Sequence, residues 1–223
     1  MYQIKTNSHN IIFYENYIIK NINKKNRKNR KKLLIEYNVN KLIEKIIINN
    51  NLDIKIPKIY EKNEEKSYLK MEKIIYPKKI NNNINEKYEI PNFSYFYSQK
   101  DCITMEIYHF KEIYKLFNNN FDEYLINYKI PNDLGIIFAE LLLNNNIILS
   151  DFELIIGKDN IYIIDFDKVH LFDRETNKSN YNYELKDYMN YYPFNNNYNK
   201  QKEYFLDGIK KIDKNNYIIN LLK

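Results

Sequence analysis

The chain has 223 residues, of which 44% are hydrophobic and 16% aromatic, enough apolar material for one large domain or two small lobes. This composition excludes full-length disorder, and no apolar run approaches the roughly 20 residues that span a membrane. The single cysteine, Cys102, excludes an internal disulfide and a cysteine-built zinc site, and the three histidines are scattered. The N-terminus is polar and has no signal-peptide pattern. We therefore expect a cytoplasmic protein that binds neither a metal nor a membrane.

The charge distribution is more informative than the net charge of +6, which only suggests a polyanionic partner. Two of the three arginines of the chain lie in a short basic segment, and the planar guanidinium binds phosphate in a bidentate manner. We predict that this segment is an RNA-binding loop. The alternative is a solvated loop whose lysines reflect A/T-rich codons, which also favour Asn, Ile and Tyr. The basic segment consists of seven residues: Lys24, Lys25, Arg27, Lys28, Arg30, Lys31 and Lys32.

The first third of the chain is predicted to hold strands and one helix. Residues 11–22 are β-branched and aromatic with a polar break at Glu15, which is typical of a strand pair or of one bent strand. Only about ten residues precede this segment, too few for a further strand and loop. Apolar residues recur every three or four positions in 33–49 and predict an amphipathic helix. Residues 53–75 predict further strands.

The second half is predicted to be mainly helical. Residues 101–108 predict a strand, and 109–128 a helix with a break. Pro131 precedes the strongly apolar segment 134–143, which predicts a buried helix. Two short apolar segments then follow, joined by a turn, and predict a β-hairpin over 151–165.

This order of elements predicts an α+β fold in two lobes. Residues 1–78 would form a small sheet with one helix, 79–100 a linker, and 101–223 a mainly helical lobe with one hairpin. This arrangement resembles a degenerate protein kinase.

Four residues occupy positions that kinase chemistry would use. Kinases hold the nucleotide phosphates with a strand lysine, which a helix glutamate orients, and they use one aspartate as base and another as metal ligand. Lys20 ends a predicted strand, and Glu36 lies in the following helix. Asp151 follows the buried helix, and Asp165 opens an Asp-Phe-Asp triplet after the hairpin.

Other features of a working kinase are missing from the sequence. The three glycines are isolated, so there is no glycine-rich phosphate loop. Ile156 stands five residues after Asp151, where an active enzyme carries an asparagine for the second metal, and apolar residues after Asp151 favour a strand over a catalytic loop. We therefore predict a non-catalytic protein without a cofactor. Lys20, Glu36, Asp151 and Asp165 would then be a residual ion pair and hairpin-capping carboxylates.

Residues 138–157 (FAELLLNNNIILSDFELIIG) and 161–168 (IYIIDFDK) resemble a fungal domain of unknown function that is often labelled "zinc finger protein". The pattern of that family runs M-A-E-A-L-A, N-D-V-E-F-V-L-G and L-L-D-F-D. The resemblance spans roughly residues 50–205, although the chain lacks zinc-finger cysteines. The positions matching the family motifs are Asp151, Glu153, Asp165, Asp167, Tyr191, Tyr192 and Pro193.

A short member of this family with such a codon-driven composition resembles the microsporidian ribosome dormancy factors. This resemblance implies a single copy that binds the tRNA exit site on the head of the small ribosomal subunit and keeps the ribosome inactive. Its partners would be rRNA and nearby ribosomal proteins in the cytoplasm. Two alternatives remain open: an atypical phosphotransferase that uses Mg-ATP, and a scaffold whose basic segment serves as a docking or nuclear-import signal.

Overall fold

The structure, a computed structural model, describes residues 2–5, 9–22, 27–74, 104–105, 128–156, 160–188 and 199–223. Several predictions lie outside these ranges: the linker at 79–100, nearly all of the helix at 109–128, and Cys102. The motif residues Tyr191, Tyr192 and Pro193, and Lys24 and Lys25 of the basic segment, lie outside them as well. In the part of the chain that is described, no helix is long and apolar enough to cross a membrane.

The N-terminal part is a five-stranded antiparallel sheet. Its strands are β1 (Tyr2–Lys5), β2 (His9–Phe13), β3 (Tyr17–Ile22), β4 (Ile59–Asn63) and β5 (Tyr68–Glu72), in the spatial order β1-β2-β3-β5-β4. The predicted strand pair at 11–22 and the strands within 53–75 are confirmed. The expectation that no strand precedes Ile11 is wrong, because four residues of β1 suffice to pair with β2 from Tyr2 opposite Phe13 to Lys5 opposite Asn10.

Helix α1 (Arg27–Asn50) connects β3 to β4. Its apolar face is buried through residues such as Val39 and Ile43, while Leu33 packs with the inner face of β4 and β5. The predicted helix is confirmed, but it begins six residues earlier than 33, so the prediction of a loop for the whole basic segment is wrong. Arginine and lysine are good helix formers, and no glycine or proline interrupts residues 27–50.

The second sheet is built around the predicted hairpin. The strands β6 (Thr104–Met105), β7 (Ile147–Ile156), β8 (Ile161–Asp173) and β9 (Lys178–Ser179) are antiparallel and lie in this order. The predicted limits of 151–165 are wrong, because β7 and β8 continue to pair as far as Ile147 opposite Leu171. Pairing continues beyond the Asp-Phe-Asp triplet through two register shifts, one with an extra residue in β7 and one with two extra residues in β8.

The predicted buried helix is α2 (Ile130–Asn145), with Pro131 in its first turn and every residue from 130 to 139 buried. It crosses a later helix at very short range. The elements that follow the second sheet are α3 (Leu185–Tyr188), α4 (Asn199–Ile212) and α5 (Tyr217–Leu221). At the α2–α4 crossing, a Cβ atom on Gly135 would lie 2.0 Å from the carbonyl oxygen of Phe205. Only a glycine permits the two backbones to approach this closely.

The segment between α1 and β4 joins the two parts of the molecule. The carboxylate of Asp133, in the first turn of α2, accepts hydrogen bonds from the backbone N–H groups of Asp53 (2.7 Å) and Ile54 (3.0 Å). The main chain of Lys55 then bridges to β8, with its N–H donating to the carbonyl of Ile161 and its own carbonyl accepting from Ile163, both at 2.8 Å. These bonds fix α1 relative to β8.

Candidate functional site

Three charged side chains from distant parts of the sequence meet between the two sheets. The Nζ atom of Lys20 on β3 donates to Oε1 of Glu36 on α1 at 2.8 Å and to Oδ1 of Asp165 on β8 at 3.0 Å. Three of the four predicted kinase-like positions are therefore brought together in one cluster.

Lys20 and Glu36 form the buried side of this cluster. Lys20 stands between Ile11 of β2 and Leu69 of β5 in the sheet, and it is 8% exposed. Glu36 lies in the third turn of α1 and is 2% exposed. A charged pair at this depth is tolerated because each charge compensates the other and is hydrogen bonded.

Asp165 reaches the cluster from an irregular point of β8. Its φ angle is +64°, in the left-handed region that few residues other than glycine adopt, although aspartate does so more often than most. In the ladder, Asp151 is opposite Lys168 and Glu153 is opposite Ile164, so three residues of β8 face Phe152 alone. Such a bulge changes the direction of side chains relative to a regular strand. It coincides with the point where Asp165 bonds Lys20.

The electrostatics of the cluster favour a protonated lysine. Burial by itself would lower the pKa of Lys20, but the negative charges of Glu36 and then Asp165, with the hydrogen bonds both accept, outweigh it. The pKa of Lys20 is therefore raised above its usual value. The cluster contains one positive and two negative charges, and the side chain of Asp165 is 37% exposed, so its negative end faces the outside.

The cluster has the form of the phosphate-binding centre of a kinase. In kinases a β3 lysine pairs with a helix glutamate and approaches the aspartate that holds magnesium. Here the ammonium already donates to both carboxylates, so an incoming phosphate would share it with Glu36 and Asp165. Lys20 and Asp165 are the residues that would meet a phosphate and its metal.

The fourth predicted position, Asp151, belongs to a strand. Residues 147–156 form β7 without interruption, as the apolar residues after Asp151 led us to expect, so no open catalytic loop precedes the hairpin. The side chains of Asp151, Glu153 and Asp167 lie outside the described part. Among the residues that are described, no group of three or more His, Cys, Asp or Glu side chains is arranged to hold a metal ion.

The basic segment lies at the start of the same helix that carries Glu36. Its residues Arg27 to Lys32 form the first turns of α1, and the first turn contains no acidic residue. Lys31 is exposed, and Lys32 is half-buried. The side chains of Arg27, Lys28 and Arg30 are outside the described part, so their contribution here is the charge that they bring to the start of the helix.

The sequence indicated Asp133 only as a residue at the start of a helix, and its tertiary hydrogen bonds were not predicted. Its carboxylate is 4% exposed, and burial raises its pKa, although the hydrogen bonds from Ile54 and Asp53 act in the opposite direction. The signal in the sequence was an aspartate in the first turn after Pro131, which is also a common arrangement at ordinary helix starts. Its role in joining α2 to the end of α1 depends on tertiary structure.

Comparisons with known proteins add little to this geometry. No protein-family model matches the chain, and no curated protein matches it. Among solved structures, SAICAR synthetase from Pyrococcus horikoshii OT3 is 16% identical, with 92% of this chain and 98% of that chain covered and a TM-score of 0.43. The gentamicin–APH(2")-IIa complex is 13% identical, with 96% and 85% covered and a TM-score of 0.36.

The fold class follows from the chain itself. The kinase-like arrangement has three parts: an antiparallel sheet with a helix between its third and fourth strands in sequence, a buried Lys20–Glu36 pair, and a hairpin whose second strand carries Asp165. The chain therefore has an α+β fold of the kinase-like kind, as the order of elements in the sequence predicted.

Proposed function

We propose that this chain is a non-catalytic, kinase-like protein that binds the small ribosomal subunit and keeps the ribosome inactive by occupying the tRNA exit site. The proposal rests on the motif resemblance between residues 138 and 168 and on the basic segment. The observation that carries it is the basic segment at the start of α1.

A cluster of positive charges is unfavourable at a helix start. The backbone N–H groups of the first turn already carry a partial positive charge, which acidic side chains usually balance. The first turn of α1 has no acidic residue, and five basic residues lie between Arg27 and Lys32. An RNA phosphate would be attracted by the side chains and by the helix end together. This gives affinity for the RNA backbone without reading its sequence.

The absence of a glycine-rich loop and the strand conformation at Asp151 support the non-catalytic part of the proposal. Phosphoryl transfer depends on holding the phosphates and the metals in place. This chain keeps the Lys20–Glu36 ion pair, which stabilises the fold. Because Asp151 lies in β7, it is not presented by a loop as the catalytic base of a kinase is.

The test is co-sedimentation of the purified protein with empty ribosomes over a series of salt concentrations. We expect stoichiometric binding at physiological salt that weakens steeply as salt rises. Replacing Arg27, Lys28, Arg30 and Lys31 with glutamine should weaken binding and flatten its dependence on salt. The matched control removes four exposed lysines elsewhere and should retain most of the binding: Lys58, Lys66, Lys186 and Lys202.

Two results would count against the proposal in different ways. A wild-type protein that stays in the supernatant at every salt concentration would exclude the ribosome as partner. Equal binding by the Arg27/Lys28/Arg30/Lys31 variant and by the wild type would show that the basic segment does not contact rRNA.

The Lys20 cluster favours one second candidate, a phosphotransferase that uses Mg-ATP. In that case Lys20 and Glu36 would hold the phosphates, Asp165 would bind the metal, and Asp151 would act as base. A thermal-shift assay should then show stabilisation by Mg-ATP, because a ligand that binds only the folded state raises its stability. The stabilisation should be lost in Lys20→Met. No shift at millimolar Mg-ATP would leave this candidate without support.

A further inference from the structure

A groove of about 610 Å³ lies on the opposite end of α2 from Asp133, against the C-terminal helices. It is bounded by the last turn of α2, the turn that follows β8, and the turn between α4 and α5. No sequence motif pointed to it. The residues that matter for its chemistry are Leu143, Arg174, Lys214, Asn215, Tyr217 and Asn220.

Arg174 is the only arginine outside the basic segment. One of its guanidinium nitrogens, Nη2, donates to the carbonyl oxygen of Leu142 at 2.9 Å, which fixes the group near the end of α2. A guanidinium has five N–H donors, so others remain for a ligand. Within the described ranges, Arg174 forms no ion pair with a carboxylate, and it is exposed.

Lys214 is the second cation of the groove, and it also lacks a carboxylate partner among the described residues. Two other exposed lysines of the C-terminal part are paired with carboxylates: Lys210 with Asp207 at 3.0 Å, and Lys186 with Glu184 at 2.7 Å. Arg174 and Lys214 therefore bring two positive charges to one groove, and neither forms an ion pair among the described residues. At the rim, Lys223 donates to the amide oxygen of Asn220 at 3.2 Å and adds a third cation.

One acidic residue, Asp213, belongs to the lining of the groove, and both it and the nearby Asp173 already accept hydrogen bonds. Asp213 is 3% exposed, and its carboxylate accepts from the N–H groups of Tyr217 at 3.0 Å and Ile218 at 2.7 Å. Asp173 accepts from the N–H of Glu175 and the hydroxyl of Thr176, both at 2.9 Å. Asp173 and Glu175 line a neighbouring hollow that shares Leu143 and Arg174 with the groove but does not include Lys214. An anion would therefore approach Arg174 from the side of Lys214.

We propose that this groove binds a phosphodiester segment of RNA through Arg174 and Lys214, as a second contact in addition to the basic segment. The side-chain amides of Asn215 and Asn220 supply hydrogen bonds, and Leu143 and Tyr217 supply an apolar surface that suits the sugar between two phosphates. The choice of ribosomal RNA as the source of that segment rests on the proposed function. Binding of RNA as such does not.

The test measures binding to a short single-stranded RNA and to empty ribosomes in parallel, at several salt concentrations. Lys214→Gln is the main variant, because Lys214 supports no other described side chain. Arg174→Gln is the second variant, and circular dichroism checks its fold since Arg174 also bonds Leu142. Lys210→Gln, with the same change of charge one turn before the groove, is the matched control. Each groove variant should reduce the slope of log affinity against log salt on RNA by about 0.7.

The outcomes separate this proposal from the function on which part of it rests. Weaker RNA binding by Lys214→Gln than by Lys210→Gln supports the groove, even if wild-type protein does not bind ribosomes and the ribosomal proposal fails. Ribosome binding that is unchanged in Lys214→Gln and Arg174→Gln, together with unchanged RNA binding, overturns the groove and leaves the ribosomal proposal standing. If inorganic phosphate binds in the groove but does not compete with RNA, the groove is a site for a small anion, and the proposal is also overturned.

Discussion

The Nζ atom of Lys20 lies 3.0 Å from Oδ1 of Asp165, although 145 positions separate the two residues in the sequence. With Glu36 at 2.8 Å, this contact joins the N-terminal sheet, α1 and β8 through one ammonium group. The cluster is therefore a tertiary contact of the fold as well as a candidate phosphate site, and its two roles can be separated by measurement.

Lys20→Met should destabilise the protein strongly. The substitution leaves the carboxylate of Glu36 at 2% exposure without the charge that compensates it, and breaking one side of such a pair costs about 3–5 kcal/mol. The free energy of unfolding, measured with urea, should fall by that amount. In the double variant Lys20→Met/Glu36→Leu no buried charge remains, so most of the loss should be recovered. A double variant as unstable as the single one would contradict this explanation.

Asp133→Ala and Asp133→Asn should differ in stability. Alanine leaves the N–H groups of Asp53 and Ile54 without their acceptor, and Ile54 is fully buried, so we expect a loss of about 1–3 kcal/mol. Asparagine keeps an acceptor oxygen and carries no charge, so it should be nearly neutral. Urea denaturation of both variants measures the difference, and equal losses would contradict the role of the two hydrogen bonds.

The raised pKa of Asp133 predicts that the stability of the protein depends on pH. Burial raises the pKa of Asp133 in the folded state, so the folded protein binds the proton more tightly than the unfolded chain does. The ionisation of Asp133 therefore lowers stability as pH rises from about its usual value of 3.8 through the raised value. Asp133→Asn lacks this term, so its stability relative to wild type should increase over that range and then stay constant. If the stability of Asp133→Asn relative to wild type fell over this range, the pKa of Asp133 would be lowered by folding, contrary to the prediction.

Gly135→Ala should be among the most damaging single substitutions in α2. Its Cβ would lie 2.0 Å from the carbonyl oxygen of Phe205 and 3.0 Å from the N atom of Ile209, both backbone atoms of α4. The helices must separate, which costs about 1–3 kcal/mol or more for overpacked sites. Ala139→Gly, one turn further along the same buried face, should cost only about 1 kcal/mol. Urea denaturation would contradict the close crossing if Gly135→Ala were the milder change.

The start of α1 predicts opposite effects on stability and on binding. Lys28→Glu replaces a positive charge in a helix turn that already has a partial positive charge, so it should stabilise the free protein by about 0.3–1 kcal/mol. It should also weaken ribosome binding. Lys45 is an exposed residue in a later turn of the same helix. Lys45→Glu has the same change in charge and should have little effect on either stability or ribosome binding. A Lys28→Glu protein that binds ribosomes as tightly as wild type would separate this helix end from the interface.

Much of the fold could be predicted from local patterns. Ile18 and Ile19 belong to a β-branched run that forms β3, and Pro131 before a continuous apolar segment marks the start of α2. These patterns work because strand and helix formation there agree with burial. The pattern at 24–32 was misleading, since a cluster of charges suggests a loop while its Arg and Lys residues favour a helix.

The candidate site was predictable only as a set of separate positions. Lys20, Glu36 and Asp165 were identified by their order in the sequence, but the direct contact of Asp165 with Lys20 depends on a bulge and a positive φ angle that have no periodic signal. The groove at Arg174 was missed for a similar reason. Its second cation, Lys214, comes from a turn between two helices, and only the packing of α2 brings these residues together.

The backbone of Lys55 has a further consequence for a chain this rich in isoleucine. Ile161 and Ile163 are buried residues on a strand whose outer edge would otherwise present free N–H and carbonyl groups, the usual template for pairing with a strand of another molecule. Lys55 takes both positions with its own main chain and leaves its charged side chain exposed there. The segment after α1 thus protects the molecule from self-association at this edge of the second sheet.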